Sequence, residues 1–133
     1  VETFKICNYN VTAISLPHDA LNCGFIISNA KDSLFYASDM GYLPYNFYGN
    51  FTEILLEANF CEDILKDSST DITAKQRISR DHFSIQQAVI FLKNLDLSKT
   101  NKIRLIHLSD RHSDAKKFKD LIEENTGKIC EVQ

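Results

Sequence analysis

Apolar and polar positions change their rhythm along the chain. Near the front, "ETFKIC" and "VTAISL" alternate over short stretches on either side of the polar "NYN". That is the period of a strand with one face buried, and it predicts a hairpin or two neighbouring strands. "GFIIS" and "SLFYAS" follow across "NAKD", a turn signal carried by Asn29 and Asp32. Four strands are therefore expected within the first 40 residues. Further on, "TEILLEANF" is a compact apolar run whose shortness predicts a buried strand rather than a helix.

The rhythm then lengthens. "CEDILKD" reads as helical, and the polar "SSTD" breaks it. Ser84 opens a Ser-x-x-Gln capping box with Gln87, and the apolar positions 85, 88, 89, 92 and 95 form one helical face. His82 stands two residues before that cap. "KIRLIHLS" predicts a strand, and Ser113 is expected to cap a last helix with Ala115, Phe118, Leu121 and Ile122 turned inward. Gly127 is placed to end that helix, and "KICEV" is a closing strand. The remaining stretch, "GYLPYNFYGN" with Phe51 after it, carries five aromatics and reads as a partly packed loop or a short helical turn. Its rings are expected to pack rather than to stack on bases. No repeat, low-complexity tract or linker divides the chain, so a single unit of mixed α/β (α+β) class is expected.

Composition supports that picture. A chain of 133 residues with 44% apolar content suits one domain, and at this size roughly two-thirds of the unfolded surface can be buried. The longest apolar run, Ala88 to Leu92, falls far short of the ~20 residues of a membrane span, and the first residues lack a signal-peptide pattern. A soluble, cytoplasmic protein with no membrane contact is the expectation. That the chain opens on Val1 suggests a trimmed or cleaved product. Cys7, Cys23, Cys61 and Cys130 are widely spaced and form no C-x-x-C pair, so reduced thiols are expected rather than a zinc knuckle or redox motif. A net charge of -3 gives no global attraction to nucleic acid, so a polyanion would have to meet a local basic patch.

Candidate chemistry gathers at strand ends. His18 follows one predicted strand, Asp39 another, and His107 closes a third, so all three can project toward one edge of a sheet, where open α/β layers usually build their sites. Each taken alone is ordinary: a strand-end histidine is most often a satisfied structural residue, and Asp39 in "SDMG" serves equally well as a turn former. Their spacing is no local zinc motif, and the residues alone reach only an imidazole and carboxylate cluster. Glu57, inside an apolar strand, would be costly to bury without a partner. Lys75, Arg77 and Arg80 lie just before His82, where they would either grip backbone phosphates or form a solvated loop face. His112 reads as a surface residue at the start of the next helix.

The succession "PHDA...GFIIS", "ASDMGY", "LLEANF", "DHFS..QA" and "IHLSD" resembles the C-terminal half of a metallo-β-lactamase-fold hydrolase, over nearly the whole chain. Within that superfamily it is most similar to the YycJ/WalJ-type exonucleases, and more distantly to the tRNA 3′-processing endonuclease RNase Z. The resemblance implies half of an αββα sandwich and two divalent metal ions, zinc or manganese. It implies His18 as a histidine ligand of the first metal, Asp39 as the carboxylate bridging both, and His107 as a ligand of the second. His82 would contact the scissile phosphate and help the leaving oxygen depart, oriented by Glu57.

The same resemblance shows what departs from the pattern. The family's His-x-His-x-Asp-His motif is absent, since none of the four histidines stands two residues from another. Cys61 replaces an acid usual after the "E-x-N" motif, and "LSDRH" replaces a more Asn-rich stretch. The chain is thus expected to need an N-terminal half of the same fold, from a fragment or a second chain, and without it to expose core surface that invites association, including with copies of itself. The implied activity is metal-dependent hydrolysis of a phosphodiester in DNA or RNA. Two alternatives stand beside it: a small-molecule hydrolase of the same fold, such as a cyclic-nucleotide phosphodiesterase or thioesterase, and a non-catalytic interaction fragment that binds no metal.

Overall fold

The alternating front of the chain becomes an antiparallel meander of β1 (Glu2–Ile6), β2 (Tyr9–Leu16), β3 (Asn22–Ser28) and β4 (Ser33–Ala37). The structure is a computed structural model and describes residues 2–43 and 49–133; positions 44–48 of the aromatic loop read from the sequence lie outside the described residues. Between β1 and β2 the turn is only Cys7 and Asn8, and Cys7 takes the positive φ of 53° that primed hairpin turns use. Between β3 and β4 the Asn29 side chain accepts from the amides of Lys31 and Asp32, both at 2.8 Å, as its turn signal predicts.

After β4 the pairing becomes parallel. β5 (Glu53–Glu57), β6 (Lys102–Ile106) and β7 (Ile129–Val132) complete a seven-stranded sheet in strict chain order, β1 to β7. Parallel neighbours need crossovers. Those after β5 are built from α1 (Glu62–Asp67), α2 (Ile72–Asp81) and α3 (Ile85–Lys93), and the one after β6 from α4 (Ala115–Thr126).

The capping box at α3 forms as expected: the Ser84 hydroxyl accepts from the Gln87 amide at 3.0 Å, and the Gln87 side chain accepts from the Ser84 amide at 2.7 Å. Two expectations need correction. The basic run is helical rather than a loop, because Asp71 caps α2 by accepting from the Ala74 amide at 3.0 Å. In α4 the cap is Asp114, accepting from Lys117 N, while the Ser113 hydroxyl donates to the Ser109 carbonyl and Ala115 stays exposed. Phe118 and Ile122 do turn inward, and Gly127, at φ 71°, ends the helix.

The core lies on one face of the sheet. Registers align Phe35 with Ile54 and Ile54 with Ile103, then Ala37 with Leu56 and Leu56 with Leu105. Against these rows pack Ile85, Ala88 and Leu92 of α3 and Phe118 and Ile122 of α4, all fully buried. Side chains alternating with those rows point to the other face, where Phe25, Ile27, Leu34, Tyr36 and Leu55 are only half-buried. The four cysteines are free thiols, and burial pushes that of Cys130 up to about 12. Among the described residues no helix is long and apolar enough to cross a membrane.

This topology brings several chain segments to one edge. The C-terminal ends of the parallel β4, β5 and β6 lie side by side, and because β2 and β3 are antiparallel, β2 ends and β3 begins at that same edge.

Candidate metal centre

Glu57, the last residue of β5, is 0% exposed. Its burial is tolerable because both carboxylate oxygens are fully engaged. Oε1 accepts from the backbone amides of Met40 (3.2 Å) and Phe83 (3.1 Å). Oε2 lies 2.8 Å from His82 Nδ1 and 2.9 Å from His107 Nδ1. The first contact is a hydrogen bond, which with Nδ1 as donor leaves the His82 Nε2 outside it, and the second is an ion-pair contact. Their rings meet edge to face, centroids 5.2 Å apart. The hydrogen bond to Glu57, reinforced by the charges of Glu57, Asp39 and Asp81, holds the His82 pKa above the ordinary imidazole value against the opposing effect of burial.

Local structure places each group. His82 fills the gap between two helices, as the C-cap of α2 with its amide on the Ile78 carbonyl, and two residues before the Ser84 cap of α3. Asp39 follows β4 and its Oδ1 is 3.1 Å from His107 Nδ1. The turn after Asp39 presses on the end of α2: a Cβ on Gly41 would stand 1.8 Å from the Arg80 carbonyl oxygen, so only glycine fits. The Gln87 side-chain amide donates to the Gly41 carbonyl at 2.8 Å, tying the same turn to α3.

One ligand atom from each of Asp39, Glu57, His82 and His107 falls within 4.8 Å of the others. Two carboxylates with two imidazoles are a donor set suited to zinc or manganese. The four are not equivalent, however. Glu57 is fully buried and already accepts from two backbone amides and the His82 ring, an environment suited to orienting the imidazoles. Asp39 and His107, with side chains roughly half exposed, are the donors a metal can reach. Two protein ligands fall short of the three or four that zinc sites take.

The remaining predicted site residues stand apart. His18 lies at the same sheet edge, yet its ring pairs with Asp19 Oδ1 at 3.3 Å and is outside the four-residue cluster. Lys75 donates its ammonium to the Lys66 carbonyl at 2.7 Å. Arg80 is locked in a two-pronged contact with its neighbour Asp81, at 2.8 and 3.0 Å, which leaves exposed Arg77 as the freer of the two guanidiniums on α2. His112, read as a surface residue, is 5% exposed. Its Nε2 meets the Thr70 hydroxyl at 2.8 Å, its carbonyl accepts from Cys61 N, and desolvation holds its pKa below the ordinary value.

Pairing of Glu57 with His82 follows the expectation that a buried acid has a partner. That His107 shares the same oxygen, and that Met40 and Phe83 amides saturate the other, has no local sequence signal, because the contacts join segments far apart in the chain.

No protein-family profile and no curated protein matches the sequence. Solved structures do, and they define the class: the chain has the architecture of metallo-β-lactamase-fold proteins. YhfI from Bacillus subtilis, a metallo-β-lactamase-fold protein, superimposes with a TM-score of 0.74 at 15% identity, over 99% of this chain and 48% of that one. Zinc-bound PqqB from Methylobacterium extorquens gives 0.68 at 13% identity, over 99% and 50%. The short form of human tRNase Z gives 0.56 at 18% identity, over 81% and 39%. The chain thus spans about half the length of the solved structures it matches.

Proposed function

We propose that this chain is the C-terminal half of a metal-dependent phosphodiesterase acting on DNA or RNA, completed by an N-terminal half of the same fold. The observation that carries the reading is the convergence of His82 and His107 on buried Glu57 with Asp39 alongside. Asp39 and His107 would hold divalent zinc or manganese, with His18 drawn in from the same edge and the remaining ligands supplied by the other half. The metal, when bound, supplies a hydroxide at neutral pH and neutralises charge on the phosphoryl oxygens. His82 would perform the chain's own chemistry: the bond to Glu57 raises its pKa and so favours the protonated form, and its Nε2–H would bind a phosphoryl oxygen and protonate the leaving oxygen. Glu57 holds that ring in place and balances its charge. Arg77, with Arg80 and Lys75 on the same helix, would meet the backbone phosphates on approach. The tRNase Z likeness supports the nucleic-acid substrate over a small phosphodiester or thioester.

Metal content is the first test. The chain refolded alone with Zn²⁺ or Mn²⁺ and desalted should carry almost no metal by plasma mass spectrometry; one or two tightly held ions would overturn the two-ligand account. In the completed enzyme, Asp39→Ala should release metal. His82→Ala should retain it while turnover of a single-stranded oligonucleotide falls about 10²- to 10⁴-fold. Turnover of cyclic nucleotides or thioesters but not oligonucleotides would refute the nuclease assignment.

A further inference from the structure

Three non-glycine residues among those described have left-handed backbone: Cys7, Asp39 and His107. Cys7 is explained by its hairpin turn. The other two are the exposed donors of the candidate centre, each just beyond the end of a strand, at φ 59° and 60°. Side chains with a Cβ rarely stay in this region unless their surroundings hold them there. Each has the same kind of holder. The Asn22 side-chain amide donates to the Asp39 carbonyl at 2.7 Å and to the Ser38 carbonyl at 2.9 Å. The Asn59 side-chain amide donates to the His107 carbonyl at 2.8 Å.

We infer that Asn22 and Asn59 are paired positioning residues that latch Asp39 and His107 in left-handed backbone, so that carboxylate and imidazole converge across the sheet edge.

The orientation of both amides follows from their partners, since a carbonyl can only accept. Asn59 is well anchored for the task. It is buried, its own amide donates to the Phe83 carbonyl, and its carbonyl accepts from Ser109 N, both at 2.8 Å. One residue therefore ties β5 to the segment after His82 and to the segment carrying His107. Asn22 opens β3 at the same edge and reaches across to the end of β4. Release of either latch lets the held residue relax toward extended backbone, turning its side chain away from a partner that now sits 3.1 Å off.

The inference rests on the reading of Asp39 and His107 as the metal-binding pair, but its test needs no metal. Imidazole ¹⁵N and backbone spectra of the metal-free chain report the state of each residue directly. In Asn59→Ala, His107 should lose its left-handed backbone shifts and its imidazole ¹⁵N signals should move, while the His112 signals stay in place. In Asn22→Ala, the Asp39 backbone and carboxyl signals should move in the same way. Asn125→Ala removes an equivalent amide-to-carbonyl bond, to Leu121 at 2.7 Å, and should leave all three residues unchanged. Asn59→Asp keeps the size but not the donor and replaces the alanine variant should that one not fold. Unmoved His107 and Asp39 signals would overturn the inference, as would a His112 shift as large as theirs, since that marks general loosening. Metal content of the unmodified chain bears only on the proposed function, so the two ideas fail separately.

Discussion

Glu57 accepts from two backbone amides and the His82 ring and lies against the His107 ring, and that makes its carboxylate the group on which the others depend. Glu57→Gln can satisfy at most one oxygen's share of them and turns an N–H donor toward groups that also donate. Loss of about 2–4 kcal/mol of stability is expected from urea unfolding, in line with breaking a buried charged network. pH should separate the two unlike histidines of the metal-free chain. His82 has a folded pKa raised above its unfolded value near ~6.5, so its contribution is complete below that pH and is lost as pH rises through the folded pKa. His112 has a lowered folded pKa, so its contribution is complete above ~6.5 and lost as pH falls. Unfolding curves of the His112→Asn variant should keep the alkaline decline and lose the acid one, whereas Glu57→Gln should flatten the alkaline side.

Elements were legible where burial and local hydrogen bonding agree. α3 combines a capping box with a full apolar stripe, and both its start and its buried face could be read directly from the letters. α2 has neither: its one buried residue is Asp81, its exposed surface is mostly polar, and Asp71, which caps it, reads only as part of the polar break "SSTD". His112 reads as a surface residue for a related reason, because burial of a polar ring against Thr70 is decided by packing between segments far apart in the chain. The strand ends could be placed, but not the backbone handedness that turns Asp39 and His107 toward each other. Close packing of elements sets a sharper constraint at Gly41, where the turn after β4 rests on the last carbonyls of α2. Gly41→Ala must push them apart, at a cost of about 1–3 kcal/mol, and melting curves of this variant should show it although Asp39 and His107 themselves are unaltered.

At the scale of the molecule, the described helices α3 and α4 cover one face of the sheet. The half-buried Phe25, Tyr36 and Leu55 row on the other is what a second layer would cover in the proposed assembly. A Leu55→Lys variant should therefore retain the melting temperature of the isolated chain within a few degrees, yet lose association with the complementing half in sedimentation velocity. Equal association of parent and variant would show that the halves meet elsewhere. In the proposed assembly the second half would supply both the missing donors and the cover for this face.

Strict chain order within the sheet has a bearing on how the protein is made. Each strand pairs with the one synthesised just before it, so a nascent chain leaving the ribosome can add strands to a growing edge without waiting for distant partners. Asp39, Glu57 and His82 emerge early, but their arrangement is completed only by His107, which follows the sixth of seven strands. An arrested chain ending before Lys102 would hold a five-stranded sheet at most, with Glu57 and Asp39 still waiting for the imidazole that joins them. Assembly of the centre is thereby deferred until most of the scaffold already exists.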